Sequence, residues 1–343
     1  MIGKNLPYIS VVVTAYNRQA FLSKALESLK NQELISSNFE IIILTNFDLN
    51  IPIMQELLEN GINLIFLKIE GSIGAFYKKA VEVSNGEILC FLDDDDSFSA
   101  DKLYTVYEIF KNNNQIGYYS NYINIIDEFD NSYEYRIKIG NVQKKRVKKE
   151  IIINSESDWK SIERFIAYGG NAFNSTISIR KSILEKYINV LKFTTRAEDE
   201  VLFFIALDSG YNLMLNSLIL TNYRILTSSA TRISFKSTSN LSTRCNALQK
   251  ELNTFNSLLT SKNMLEKEIT QRCLISSYTF VSLFHSSICT QFNSGNCDFG
   301  LMKSMKILFF KFKLVNLFLF FLYCASRFKK NFAIKLYFIF RGD

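Results

Sequence analysis

The first ninety or so residues alternate between short apolar runs and amphipathic segments, which leaves few folds open. In chain order, these runs and segments cover 9–14, 21–30, 39–44, 54–59, 64–67, 73–84 and 87–92. Short apolar runs are typical of strands and the longer segments have helical spacing, so the predicted order is βαβαβαβ. Because the strands are apolar throughout, a parallel sheet buried on both faces is favoured. The sequence therefore predicts an α/β fold with a mostly parallel, doubly wound sheet, whose ligand site lies beyond the carboxyl ends of the strands.

After residue 100 the pattern is less regular. An apolar run at 175–179 predicts another strand, 197–209 predicts a helix with an acidic first turn, and 213–226 predicts a final strand pair. Residues 241–292 have helical periodicity, and Phe and Leu dominate from residue 301 onward. We therefore predict three parts, which are an α/β domain over residues 1–230, a helical appendage over 231–300 and an amphipathic tail over 301–343.

Composition excludes a disordered chain and argues against a nucleic-acid-binding module. Hydrophobic residues make up 48% of the 343 residues and charged residues 21%, which allows a sizeable core. The net charge is +7, but Lys and Arg are spread along the chain, most densely at 144–149. Outside the tail they lack the interleaved aromatic residues of a nucleic-acid stacking platform. A phosphate-rich partner or an anionic membrane surface fits this charge.

The cysteines and the N-terminus both favour a cytoplasmic protein. Six cysteines occur without a C-x-x-C pair, so neither a zinc site nor a disulfide framework is expected. A strand-like run begins within the first ten residues, which leaves no room for a secretion signal. We therefore expect a reducing environment.

The tail suggests attachment to a membrane surface. Its uncharged stretch, residues 314–326, spans only about 20 Å as a helix, against a hydrocarbon core of about 30 Å. Phe and Tyr residues interleaved with Lys and Arg surround it, as in a helix that lies on an anionic leaflet. A buried core helix or an oligomer contact is the alternative. We predict a peripheral or monotopic protein on the cytoplasmic face of the membrane.

Four adjacent carboxylates, Asp93, Asp94, Asp95 and Asp96, directly follow the strand predicted at 88–92. Such carboxylates repel one another, and a cleft of low dielectric constant protonates some of them unless a cation is present. All-oxygen ligands suit Mg²⁺ or Mn²⁺, with water and substrate phosphate filling the other positions. A nucleotide diphosphate is then the natural co-ligand. A solvated acidic turn that caps the next helix is the alternative.

The segments ISVVVTAYNR (9–18) and GEILCFLDDDDSF (86–98) together resemble the family-2 inverting glycosyltransferases of the GT-A fold, over roughly residues 7–230. The resemblance implies that a nucleotide pocket is lined by Thr14, Ala15, Tyr16 and Arg18. It also implies that Asp93 contacts the ribose or the hydrated metal, and that Asp95 binds the metal that bridges the diphosphate. Asp94 shares either role.

A second match is the stretch Glu198, Asp199 and Glu200, which resembles the family's Glu-Asp element at a helix N-terminus. The resemblance implies that Asp199 is the catalytic base, with Glu198 on the acceptor side. An inverting transfer needs a carboxylate that removes the proton of the acceptor hydroxyl. The alternative is that acidic residues simply favour the first turn of a helix through its dipole.

Two positions depart from the family pattern. Asn46 stands near the place where the family usually has an Asp that binds the base, so either Asn46 substitutes for it or Asp48 reaches in. Leu226 stands where the family often has a metal-binding histidine, so a third protein ligand is missing. On the acceptor side, Gly170 and Asn171 precede the strand predicted at 175–179.

The predicted function is that of a metal-dependent, inverting hexosyltransferase. We expect it to transfer sugar from a nucleotide-diphosphate sugar to a hydroxyl of a glycan or lipid-linked glycan. A single addition is favoured because the Gln-x-x-Arg-Trp signature of processive synthases is absent. Two alternatives remain. One is a polyprenyl-phosphate sugar synthase, whose phosphate acceptor is already ionised and needs no general base. The other is a non-catalytic protein that has the same fold and binds a membrane surface.

Overall fold

A computed structural model describes residues 6–132, 149–225, 238–261 and 264–288. The chain divides into two compact units, the first comprising Met1–Leu226 with Asn263–Thr270 and the second comprising Thr227–Lys262 with Gln271–Asp343. Most of the basic stretch 144–149 and the whole of the tail 301–343 lie outside the described residues. Membrane attachment through the tail therefore stays a prediction.

The first unit is built on one sheet, with nine strands in the described residues. They are β1 (Ile9–Ala15), β2 (Phe39–Thr45), β3 (Asn63–Lys68), β4 (Ile88–Asp93), β5 (Ser97–Phe98), β6 (Ile116–Ile126), β7 (Ile151–Ile153), β8 (Ile177–Arg180) and β9 (Asn212–Arg224). Their order is β3-β2-β1-β4-β8-β6-β9-β5, and β7 pairs with β9. The helices of this unit are α1 (Leu22–Lys30), α2 (Pro52–Glu59), α3 (Ile73–Val83), α4 (Lys102–Asn112), α5 (Trp159–Ala167), α6 (Lys181–Lys186), α7 (Ile188–Leu191) and α8 (Glu198–Ser209).

The first four strands of the sheet order run parallel, which confirms the predicted α/β fold. Every residue of β1 and β2 is buried, and this is why their sequences show no alternation. Beyond β4 the sheet continues through β8, which is antiparallel to both β4 and β6. The strand pair predicted at 213–226 is wrong, because the segment forms the single long strand β9, which pairs with β6 in parallel.

The second unit contains α9 (Thr238–Thr260) and most of α10 (Glu268–Ile288), so the predicted helical region is present. Cys245 is disulfide-bonded, which corrects the expectation that the cysteines form no disulfide. Sequence spacing does not reveal which cysteines the fold brings together. Among the described residues, no helix is both long enough and apolar enough to cross a bilayer.

A buried carboxylate joins the amino ends of the central strands. Glu40 in β2 is fully buried and accepts hydrogen bonds from Ser10 Oγ at 2.6 Å and from the Asn85 backbone N–H at 2.6 Å. The side-chain amides of Asn85 and Asn63 donate to its other oxygen at 2.9 and 3.1 Å. Gly86 completes the cluster by donating to Ser10 Oγ, and a Cβ there would lie 2.5 Å from the Ser10 nitrogen. This cluster fixes the sheet at the edge opposite the carboxyl ends of β1, β2 and β4.

We expect Glu40→Ala to lower the free energy of unfolding by about 2–4 kcal/mol, because several buried donors lose their acceptor at once. Urea denaturation of the full chain measures this change. Glu56→Ala, which removes the exposed partner of Lys30, is the control and should change stability little. Equal effects of the two substitutions would contradict the structural role of Glu40.

Candidate active site

The carboxyl ends of β1, β2 and β4 meet at one edge of the sheet. Thr14 pairs with Asp93 and Ala15 pairs with Thr45, so the loops that follow these strands start side by side. Thr14 and Ala15 are themselves buried, whereas the Tyr16 side chain is about half exposed at the rim. The residues predicted to line a nucleotide pocket are therefore brought together with the aspartate run.

Asn46 fixes the loop after β1. The Asn17 backbone N–H donates to Asn46 Oδ1 at 2.8 Å, and Asn46 Nδ2 donates back to Asn17 Oδ1 at 2.6 Å. Asn17 has a φ of 57°, a left-handed conformation that asparagine tolerates better than most residues. Asn17 was not predicted as a site residue, yet this reciprocal pair holds the loop that carries Tyr16 and Arg18.

The four carboxylates of the run divide into an outer and an inner pair. The outer pair faces Arg18, whose Nη1 lies 2.7 Å from Asp95 Oδ2 and whose Nη2 binds Asp94 Oδ1. In the inner pair, Asp93 Oδ1 accepts a hydrogen bond of 2.8 Å from the Asn174 side chain. Asp96 Oδ2 accepts one of 2.6 Å from Ser175 Oγ. The outer pair is therefore paired with a half-exposed arginine, whereas each member of the inner pair is bonded to a residue of the segment 174–175.

A 3₁₀ turn at Asn174–Thr176 organises the inner pair. In the β4–β8 pairing Cys90 lies opposite Ser178, and the same register continued places Ser175 opposite Asp93. Ser175 Oγ accepts from the Asp93 backbone N–H at 3.0 Å while it donates to the run. Asn174 is held in turn by the Tyr77 hydroxyl, which donates to Asn174 Oδ1 at 2.7 Å. Sequence reasoning missed this turn and began the strand at residue 175, although the polar run Asn174, Ser175 and Thr176 was a signal that the strand begins only at Ile177.

Arg224 supports the run from the protein side. Its backbone N–H donates to Asp96 Oδ1 at 2.9 Å, and its Nε donates to the Asp95 carbonyl at 2.8 Å. The same guanidinium donates to the Asp127 carbonyl at 2.8 Å and pairs with Asp130 Oδ1 at 2.5 Å. Arg224 is thus a fixed positive charge behind the acidic loop. Leu226, the position at which the family histidine is absent, lies outside the described residues.

A buried lysine donates a hydrogen bond to the 3₁₀ turn. Lys102 Nζ donates to the Thr176 carbonyl at 3.2 Å and also to Asn121 Oδ1. Burial lowers the pKa of Lys102 to about 8. The sequence did not single out this residue, because a lysine in the first turn of a helix is usually exposed.

Burial and mutual repulsion raise the pKa values of three aspartates. The pKa of Asp93 lies well above its usual range because of burial first and then the charges of Asp96 and Glu198. Burial raises the pKa of Asp94 to about 7, although Arg18 opposes the shift. Burial and the neighbouring Asp95 raise the pKa of Asp96 to about 8. The run therefore holds protons near neutral pH unless a further cation offsets its charge.

The donor set fits a hydrated Mg²⁺ or Mn²⁺ ion. Asp93 and Asp95 offer the carboxylate oxygens that these ions prefer. Within the described part of the chain, no group of three or more His, Cys, Asp or Glu residues is placed to hold a metal. Mg²⁺ commonly takes one or two carboxylates from a protein and fills its other positions with water and substrate phosphate, and Asp93 and Asp95 would be those two carboxylates.

The raised pKa values predict how stability depends on pH without metal. The folded state keeps protons that an unfolded aspartate, with a pKa of about 3.9, has already released. In EDTA, the free energy of unfolding should therefore fall as the pH rises through about 7 for Asp94 and about 8 for Asp96. Urea denaturation over the range from about pH 5.5 to about pH 8.5 measures the slope.

Saturating Mg²⁺ should flatten this slope, because the ion replaces the protons. Asp96→Asn should also flatten it, since it removes one titrating group. Asp158→Asn, at the exposed N-cap of α5, serves as the control and should leave the slope unchanged. A stability that rises over the same pH range in EDTA would contradict the prediction.

Asp199 lies at the start of α8, beside the segment that orders the run. The Phe173 backbone N–H donates to Asp199 Oδ2 at 3.2 Å, and the Glu200 N–H donates to Oδ1 at 3.0 Å. Phe173 has a φ of 64° and directly precedes Asn174, which binds Asp93. One short segment, 173–175, therefore positions the predicted base relative to the run. Glu198 is close enough for its charge to raise the pKa of Asp93.

Gly170 and Asn171 precede this segment. Gly170 is buried, and a Cβ there would lie 2.2 Å from the Phe165 ring, so only glycine fits. Its carbonyl accepts the Tyr118 hydroxyl at 2.8 Å. Asn171 is partly exposed. The close packing against Phe165 explains why residue 170 is a glycine. The place of Gly170 and Asn171 on the acceptor side stays a prediction.

Residues 10–179 match the family model described as Glycosyl transferase family 2, which confirms the resemblance in the segments around Arg18 and the aspartate run. Through this segment the chain belongs to glycosyl transferase family 2. Among curated relatives, an uncharacterized glycosyltransferase of Methanocaldococcus jannaschii, MJ1057, is 31% identical over 137 residues, which are 38% of this chain and 47% of that protein. The poly(ribitol-phosphate) beta-glucosyltransferase of Bacillus spizizenii is 28% identical over 110 residues, which are 31% of this chain and 17% of that protein.

The curated relatives are matched over only part of their length, between 17% and 47% of each protein. Among solved structures, that of S. aureus TarS 1-349 in complex with UDP is similar with a TM-score of 0.53 and 13% identity, over 88% of this chain and 78% of that one. At this identity the likeness concerns the fold alone. The similarity to TarS confirms the GT-A fold that the sequence predicts for this chain.

Proposed function

We propose that this family-2 chain is a metal-dependent, inverting glycosyltransferase that moves one sugar from a nucleotide-diphosphate sugar to a hydroxyl of a glycan or lipid-linked glycan. The observation that carries the proposal is the segment 173–175. Its Phe173 N–H holds Asp199, and its Asn174 side chain holds Asp93. The proposed base and one proposed metal-binding carboxylate are thus held by the same short segment, as an in-line displacement requires.

The donor would bind beyond the carboxyl ends of β1, β2 and β4. Asp95 and Asp93 would hold Mg²⁺ or Mn²⁺, which when bound stabilises the charge that develops on the leaving diphosphate. The nucleotide would contact the residues that surround the same edge of the sheet, namely Thr14, Ala15, Tyr16, Arg18, Asn46 and Asp94.

Asp199 would act as the base. Two backbone N–H groups orient its carboxylate, and a carboxylate is the kind of side chain that removes a hydroxyl proton in general base catalysis. As the acceptor oxygen attacks the anomeric carbon, its proton passes to Asp199 and the bond to the diphosphate breaks on the opposite face. Gly170, Asn171 and Glu198 would line the acceptor side.

Relatives support the sugar donor and the hydroxyl acceptor in general terms. The solved TarS structures include complexes with UDP and with UDP-GlcNAc, and both are similar in fold to this chain. One curated relative carries the name poly(ribitol-phosphate) beta-glucosyltransferase, and ribitol is a polyol that offers hydroxyl groups. These names support a nucleotide-sugar donor and a hydroxyl acceptor here.

Calorimetry of the full chain with UDP and with GDP, in Mn²⁺ and in EDTA, tests the proposal. We expect one of the two nucleotides to bind in Mn²⁺ and to lose that binding in EDTA. A panel of nucleotide sugars, assayed by release of the nucleotide diphosphate, then identifies the donor. If neither nucleotide shows metal-dependent binding and no nucleotide diphosphate is released from any member of the panel, the non-catalytic membrane-surface alternative is favoured.

A further inference from the structure

Arg18 covers the outer pair of aspartates from the solvent side. Its side chain is 48% exposed, whereas those of Asp94 and Asp95 are 5% and 15% exposed. Its two terminal nitrogens bind one carboxylate each. A ligand that approaches these carboxylates from solvent therefore meets the guanidinium first.

Arg18 differs in this from the second arginine at the run. The Arg224 side chain is only 1% exposed, and backbone carbonyls of Asp95 and Asp127 hold it in place. Arg18 has no such anchors in the described residues, since its side-chain partners there are the two carboxylates. It lies in the loop between β1 and α1, so rotation of its side chain does not disturb the sheet. Arg224 is thus a permanent counter-charge and Arg18 an exchangeable one.

Both a guanidinium and a divalent cation neutralise Asp95, but two cations on one carboxylate repel each other. Without nucleotide, Arg18 therefore opposes the binding of a metal ion at Asp95. A diphosphate changes this balance, because a guanidinium pairs with phosphate oxygens in the same bidentate geometry as with carboxylates. The nucleotide can thus accept Arg18 and leave the carboxylate to the metal.

We propose that Arg18 is an exchangeable counter-cation, which neutralises Asp94 and Asp95 in the free protein and moves to the diphosphate when the donor binds. The exchange makes metal and nucleotide binding cooperative, because each ligand binds more tightly once the other has displaced or accepted Arg18. Metal bound without nucleotide is correspondingly disfavoured. The inference rests on the proposed function, in which this loop binds a nucleotide diphosphate.

The test compares wild-type protein with Arg18→Gln and with Lys30→Gln. The control removes an equal charge at the other end of α1, where Lys30 pairs with Glu56. MnCl₂ is first titrated calorimetrically into each full-length protein without nucleotide. Arg18→Gln should bind Mn²⁺ about tenfold more tightly than wild type, and Lys30→Gln should match wild type. UDP is then titrated in saturating Mn²⁺, and Arg18→Gln should bind it about tenfold more weakly.

The opposite signs of the two changes distinguish exchange from a general loss of structure, which would weaken both. If Arg18→Gln does not fold, as judged by circular dichroism, Arg18→Lys replaces it. That variant keeps the positive charge, so its affinity for Mn²⁺ should be close to that of wild type. It loses the bidentate guanidinium, so it should bind UDP more weakly than wild type. Unchanged or weaker Mn²⁺ binding by Arg18→Gln overturns the exchange, and so does unchanged UDP binding by either variant. If wild type itself shows no metal-dependent binding of UDP or GDP, the proposed function fails instead.

Discussion

Replacing Asp95 with Asn is expected to reduce sugar transfer by a factor of about 10²–10³, the effect of removing one electrostatic group from a transition state. The reduction should come with a loss of metal-dependent nucleotide binding, because Asp95 is the proposed principal ligand of the metal. Its side chain belongs to the outer pair and is bound by Arg18, not by the 3₁₀ turn. The fold should therefore survive. Release of the nucleotide diphosphate measures activity, and thermal unfolding measures stability.

Two comparisons make this result specific. Asp158→Asn, on the surface N-cap of α5, should retain full activity. Asp96→Asn should change stability as well as activity, because Asp96 accepts hydrogen bonds from Ser175 and from the Arg224 backbone. An Asp95→Asn enzyme that keeps wild-type turnover would remove Asp95 from the proposed metal site.

Replacing Asp199 with Asn is expected to lower kcat by about 10²–10⁴, the usual contribution of a positioned general base. The KM for the donor and the metal-dependent binding of nucleotide should be nearly unchanged, because the proposed role of Asp199 concerns the acceptor and not the donor. One amide oxygen can still accept a backbone N–H, so α8 should keep its first turn. Steady-state kinetics with the donor identified in the panel provide the measurement.

Glu200→Gln is the matched control, since Glu200 stands in the same acidic first turn. If the acidic residues served only the helix dipole, both substitutions would have the same small effect. A large effect of Asp199→Asn alone supports the base. Should Asp199→Asn keep turnover while Asp95→Asn abolishes it, the acceptor is already ionised and the polyprenyl-phosphate sugar synthase becomes the better description.

Local patterns in the sequence were enough to predict the first half of the fold. The apolar runs that became β1, β2 and β4 are buried on both faces, and the helix expected at 197–209 is α8. The same patterns placed the aspartate run directly after a strand, at the edge of the sheet where the ligand site was expected. This worked because parallel strands end at a common edge, so a strand assignment already places the loops that follow them at that edge.

The tertiary structure decided what surrounds the run. Ser175 and Arg224 reach Asp96 from positions 79 and 128 residues further along the chain. Their approach depends on the antiparallel register of β8 and on the long path of β9, which the sequence pattern had split into two strands. Hydrophobic periodicity records which face of a segment is buried but not which distant segment covers it. The sequence by itself therefore determined the family, the strand ends and the acidic run, and only long-range pairing decided which carboxylates bond to the 3₁₀ turn and which pair with Arg18.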